Sequence, residues 1–138
     1  MKVEVVLDEG AILPCRAHAQ DAGFDLFARE DGYIFPNARA LFDTGVHMAI
    51  PAGYEGHIRS RSSMMLKKGC ITDGTIDSGY TGSIGVILFN LSGKLVEIKK
   101  GEKIAQIVIE PMVAPEMEVV EKLEETERGS GGFGSTGA

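Results

Sequence analysis

The sequence predicts an all-β subunit, a jelly-roll-like β-sandwich or barrel with very little helix. Three observations carry that prediction. Short runs of β-branched and aromatic residues recur along the chain, turn signals separate them at short intervals, and no 3.6-residue apolar period persists beyond about two turns. At 138 residues the chain is sized for one domain with its own core.

The first run is 3–7, Val-Glu-Val-Val-Leu, an apolar stretch broken by a single acid. Runs 33–35, 46–50 and 56–59 follow, set off by Asp31-Gly32, Pro51-Ala52-Gly53 and other turn formers. Residues 62–68 are the best helical candidate, about two turns long. Runs 83–91 and 104–110 are longer and more apolar, the pattern of strands buried on both faces. Asp73-Gly74 and Ser92-Gly93 add two more turns, and no internal repeat is visible.

Composition narrows the function classes. Fourteen Lys and Arg against twenty Asp and Glu give a net charge of −6, which argues against a nucleic-acid coat. No apolar stretch approaches the ~20 residues of a membrane span. The N-terminus lacks a signal-peptide pattern, so a cytoplasmic location is expected, in a cell or, for a virus-encoded protein, in its host. Cys15 and Cys70 stand far apart without metal-like or redox spacing and read as reduced thiols. His18, His47 and His57 are likewise scattered and read as surface or strand-border residues.

Charge and glycine concentrate near the C-terminus. Residues 116–127 hold six Glu against Lys122 alone, a local charge of −5. Residues 128–138, Arg-Gly-Ser-Gly-Gly-Phe-Gly-Ser-Thr-Gly-Ala, then include five Gly and one large apolar side chain, Phe133. Such a segment buries too little surface to offset its ordering entropy. A frayed terminus is the plain reading, yet one cation, one aromatic ring, hydroxyls and free amides are also what holds a flat base and a phosphate chain. Gly129-x-Gly131-x-x-Gly134 matches the dinucleotide-binding pattern by letter. No helix can follow so near the end, and that reading fails. The division expected is a domain over 1–127 and a flexible arm over 128–138.

Four further segments carry candidate chemistry. Residues 59–69 hold Arg59, Arg61, Lys67 and Lys68 with Ser60, Ser62 and Ser63 and no acid, suited to a phosphate cradle or to a solvated basic turn. Residues 74–82, Gly-Thr-Ile-Asp-Ser-Gly-Tyr-Thr-Gly, place Asp77 in a glycine-bordered hairpin, as a turn cap or as a fixed general base. Asp21-Ala22-Gly23-Phe24-Asp25-Leu26 sets a carboxylate among apolar residues. Gly101-Glu102-Lys103-Ile104-Ala105-Gln106 sets one amide at the start of a strand.

Taken in order with the C-terminal arm, these segments resemble the trimeric dUTPase family, from Ala22 to Gly137. The resemblance implies a homotrimer of jelly-roll subunits with three active sites at their interfaces, hydrolysing dUTP to dUMP and pyrophosphate with Mg²⁺. That reaction limits uracil incorporation into DNA and supplies dUMP for dTMP synthesis. Asp77 would orient and deprotonate a water attacking the α-phosphorus. Tyr80 would pack under the deoxyribose, Thr75 and Ile76 would shape the pyrimidine pocket, and Phe133 with Gly134 would close over the base. Arg61, Ser62, Ser63 and Gln106, with Arg128, Ser135 and Thr136 from the arm, would hold the phosphates, and Asp25 would hold the metal through water.

One departure is Arg61-Ser62-Ser63 where the family has Arg-Ser-Gly. Arg-Ser-Ser also looks like dCTP deaminase, whose catalytic Glu lies ten positions after the hairpin Asp. Here that position is Ile87, which cannot shuttle a proton. The remaining alternative is a regulator of the same fold that acts by binding other proteins.

Overall fold

The computed structural model of the chain describes residues 1–134, 136 and 137. The described residues form eleven strands: β1 (Glu4–Leu7), β2 (Phe24–Phe27), β3 (Gly32–Ile34), β4 (Arg39–Asp43), β5 (Val46–Ala49), β6 (Tyr54–Arg59), β7 (Cys70–Ile71), β8 (Asp73–Ile76), β9 (Gly85–Asn90), β10 (Val96–Ile98) and β11 (Lys103–Pro111). One short helix, Met64–Lys68, lies between β6 and β7.

All pairings between strands are antiparallel. A four-stranded sheet runs β2-β11-β6-β8 and a three-stranded sheet β4-β9-β7, with two-stranded pairs β1-β5 and β3-β10. The core between them is aliphatic: Leu26, Ile34, Ile84, Val86, Leu88, Ile98, Ile104 and Ile107 are almost wholly excluded from water. Each buried side chain of this kind contributes roughly 1.5–3 kcal/mol. The result is the jelly-roll-like all-β sandwich the composition of runs and turns predicts.

Two expectations change in detail. Residues 83–91 read as a strand buried on both faces, but β9 alternates, with Val86, Leu88 and Asn90 inward and Ile87 and Phe89 on the outer face. Leu41 stands directly opposite Ile87, and Ile71 opposite Phe89, so this outer face is an apolar stripe across three strands. The helix expected over 62–68 forms, but its last five residues are π-helical. It ends at Gly69, whose amide donates back to the Met65 carbonyl at 3.1 Å.

The segment 69–77 that leads to Asp77 is a crossing between sheets. β7 joins β9, and two residues later β8 joins β6. Thr72 sits buried at the crossing. The Ser60 hydroxyl donates to the Thr72 carbonyl and accepts from its amide, both at 2.9 Å. The residue that pins the crossing is thus the neighbour of Arg61.

Candidate active site

Register brings three distant segments together at one end of the four-stranded sheet. Asp25 of β2 pairs with Gln106 of β11, and Gln106 pairs with Arg59 of β6. Paired residues of adjacent strands project to the same face. Arg61, just beyond β6, reaches back so that its Nε donates to Asp25 Oδ1 at 3.0 Å and its Nη1 to the Ser63 hydroxyl at 3.0 Å. Lys103 Nζ meets the other oxygen of Asp25 at 3.2 Å. The Gln106 amide donates to the Ser60 carbonyl at 3.1 Å. Gly23 is required here, because a Cβ on it would coincide with the Gln106 side-chain amide. Asp25, Arg61, Ser63 and Gln106 therefore form one cluster, while Ser62 is exposed beside it.

The basic segment is less free than its composition suggests. Arg61 is paired with Asp25 and Lys68 with Glu102, and Arg59 Nη2 lies 3.0 Å from Glu110 Oε2. Only Lys67 of the four cations has no acid partner among the described residues. Spacing could not reveal these pairs, since the acids come from β2, β11 and the turn before β11. Lys103 is a member of the cluster that sequence reasoning gave no role, and Ser60, named there only as part of the basic segment, holds it through its backbone carbonyl.

Asp77 and Tyr80 lie elsewhere. Gly56 pairs with Ile76, so continuing the register sets Asp77 beside Glu55 at the start of β6. Arg61 is six residues further along, roughly 20 Å at ~3.3 Å per residue. Asp77 is exposed, and the Tyr80 amide donates to its carbonyl at 3.0 Å, closing a turn. The Tyr80 ring folds over Gly82, its hydroxyl donating to the Ser83 carbonyl at 2.8 Å. Among the described residues β8 pairs only with β6, so around Thr75 and Ile76 its other edge presents backbone donors and acceptors without a strand partner. One chain thus separates the Arg61 cluster from the Asp77 hairpin.

Residues beyond Pro111 form no strand or helix among those described. Arg128 donates from Nε to the Gly131 carbonyl at 2.7 Å within the arm itself. Phe133 is fully exposed with a positive φ of 51°, and Gly134 and Thr136 lie beyond it. Ser135 falls outside the described residues.

The histidines are better placed than their scatter implies. His57 groups with Glu55 and Glu110 closely enough to hold an ion. Its Nε2 bonds Asp73 at 2.7 Å, and Arg59 Nε donates to its Nδ1 at 3.2 Å, so a guanidinium already fills the cation's place. His47 bonds the Thr81 carbonyl and Asp8. Burial pushes the Cys70 thiol up, and Cys15 is an exposed free thiol.

A family model described as dUTPase matches residues 9–137. The chain is 50% identical over 135 residues to the deoxyuridine 5'-triphosphate nucleotidohydrolase of Clostridium tetani, covering 96% of this chain and 93% of that one. A mutant of the Staphylococcus bacteriophage 80alpha dUTPase solved with dUpNHpp superposes with a TM-score of 0.92 at 33% identity, covering 99% of each chain. A mutant dUTPase from phage phi11 of S. aureus, described as coordinating a structural Mg(II) ion, has a TM-score of 0.83 at 31% identity, covering 91% of this chain and 100% of that one.

Proposed function

The chain belongs to the dUTPase family, and on that footing we propose how its own residues carry out the hydrolysis of dUTP to dUMP and pyrophosphate. The observation that carries the reading is the convergence of Asp25, Arg61 and Gln106 from three separate segments at one sheet end. Arg61, Ser62, Ser63 and Gln106 bind the triphosphate there, joined by Arg128, Ser135 and Thr136 when the arm closes. Charge-assisted donors of this kind offset the anionic leaving group where charge develops.

Asp77 accepts the proton of a water whose oxygen bonds to the α-phosphorus. The bond from that phosphorus to the bridging oxygen breaks, and pyrophosphate departs with the electron pair. Tyr80 packs beneath the deoxyribose, where an added 2'-hydroxyl meets the ring. The unpaired edge of β8 at Thr75 and Ile76 offers backbone groups to the uracil. Phe133 stacks on the base with Gly134 and excludes water. Residues 1–127 are the body of this design and 128–138 the arm that closes over the substrate.

Both halves of the site must meet on one substrate, yet one chain holds them roughly 20 Å apart along β6. We therefore assign the site to a homotrimer in which a neighbouring copy supplies the Asp77 hairpin. The outer stripe of Leu41, Ile71, Ile87 and Phe89 supports this, since such faces mark interfaces. Ile87 in that stripe also leaves a deaminase without its titratable group.

Mg²⁺ fits the site only indirectly. Asp25 is a lone carboxylate with both oxygens already held by Arg61 and Lys103, which suits contact through the ion's water shell rather than a protein cage. Bound to the phosphates, the ion would neutralise charge on the leaving group. The test is pyrophosphate release from dUTP, dCTP, dTTP and UTP with Mg²⁺, by wild type and Asp77→Asn. Release confined to dUTP and lost in the variant is expected; near wild-type release by the variant refutes the base assignment.

A further inference from the structure

We propose that His47 is a positioning residue for the Asp77–Tyr80 hairpin: it grips the Thr81 carbonyl only while its imidazole carries both protons, so discrimination of deoxyribose at Tyr80 falls as His47 loses its charge. This rests on the reading of Tyr80 as the residue beneath the sugar.

The geometry is a matter of proton counting. His47 of β5 sets Nδ1 2.7 Å from the Thr81 carbonyl oxygen and Nε2 2.9 Å from Asp8 Oδ2. A carbonyl and an ionised carboxylate can only accept. Both contacts are hydrogen bonds only for the imidazolium. A neutral ring has one proton for two acceptors, and the carboxylate takes it, because a bond to a charged acceptor is roughly twice as strong. Thr81 is then the partner released.

The surroundings favour the charged ring. Asp8 faces it from the end of β1, Asp43 from β4, and Glu4 of β1 lines the same shallow depression; Thr81 brings no charge. Arg29, following β2, is the opposing cation, 3.6 Å from Asp8 and 3.2 Å from Asp43. The Thr81 carbonyl first, and then Asp8, hold His47 above the usual histidine range. A raised value means the grip is complete at low pH and lost as pH rises through it.

What is gripped is the exit of the hairpin. The Ser83 hydroxyl donates to Asp43, so the segment is held at Thr81 by His47 and at Ser83 by Asp43, with Arg29 joining Asp8 to Asp43. Tyr80 lies immediately before this clamp and bonds Ser83. Losing the Thr81 contact leaves the ring tethered at Ser83 alone. One net hydrogen bond corresponds to a few-fold to about tenfold change in discrimination.

The experiment is the ratio of kcat/KM for dUTP to that for UTP from pH 5.5 to 9, on full-length wild type, His47→Gln and Asp8→Ala. The ratio cancels effects common to both substrates, including ionisation of the triphosphate and of Asp77. Wild type should lose about three- to tenfold of its ratio above pH 6.5, with a single titration. His47→Gln should give a flat ratio. Asp8→Ala removes the competing acceptor, leaves the single proton on Thr81, and should keep the ratio high into the alkaline range. A pH-dependent ratio unchanged in His47→Gln, or a wild-type fall persisting in Asp8→Ala, overturns the proposal. Failure of the site reading shows separately, as turnover surviving in Asp77→Asn.

Discussion

Gly23→Ala tests whether the Asp25–Arg61–Gln106 cluster is packed as described. The new Cβ would coincide with the Gln106 amide and lie 3.0 Å from Gln106 Cβ. Gln106 must then swing away, breaking its bond to the Ser60 carbonyl, which is worth about 1 kcal/mol net. Residual crowding against β11 adds about 1–3 kcal/mol, as for other overpacked sites. The expected destabilisation is therefore about 2–4 kcal/mol, read by urea unfolding at fixed protein concentration. In a Gln106→Ala background the amide is gone and only the Cβ contact remains. There Gly23→Ala should cost about 1 kcal/mol, a coupling of about 1–3 kcal/mol between the two positions. A single substitution costing under about 0.5 kcal/mol, or equal costs in the two backgrounds, would refute the packing argument.

Other outcomes follow from other parts of the molecule. Leu88→Ala in the core should destabilise by about 2–5 kcal/mol in the same assay, because Leu88 is wholly buried between the sheets. Leu41→Asp, on the outer stripe, should leave the subunit folded but shift its equilibrium mass from trimer to monomer in sedimentation; an unchanged trimer would exclude that face as the contact. Partial burial raises the Asp43 carboxyl, but bonds from the Ser83 hydroxyl, the Gly45 amide and Arg29 outweigh it and hold the group below its usual 3.8. Its contribution to stability is present above that value and lost as pH falls through the lower folded one, so acid unfolding of Asp43→Asn should lack this component. Deleting residues 128–138 should leave the unfolding midpoint unchanged while turnover of dUTP falls sharply; unaltered kinetics would make the arm a bystander.

Much of the architecture was legible because its longest strands carry strong local signals. β11 and β9 are long enough for apolar content to be visible, and the glycine-bordered turns mark where chains reverse. β7 and β10, two and three residues long, have no period to detect and exist because sheet partners hold them. β2 was visible as a motif rather than as a strand, since Asp25 interrupts its apolar run. The members of the Asp25–Arg61–Gln106 cluster stood in the sequence as separate segments, and their pairing was not legible there. Asp25 lies 36 positions from Arg61, and Gln106 meets Ser60 across 46, so only strand register brings them together. The same holds for His47, which reaches Asp8 and Thr81 across 39 and 34 positions.

The acids standing against Arg59, Arg61 and Lys68 also decide which anions can compete for this protein. A phosphate chain arriving at the cluster does not find bare cations; it must displace or share carboxylates already in place. A nucleic-acid strand presents its charges singly and spaced, so each contact would be an even trade with an internal acid. A triphosphate would deliver its charge at one point, beside the Ser62 and Ser63 hydroxyls, neither of which bonds a carboxylate among the described residues. At the proposed phosphate site these internal ion pairs would favour concentrated charge over charge spread along a polymer.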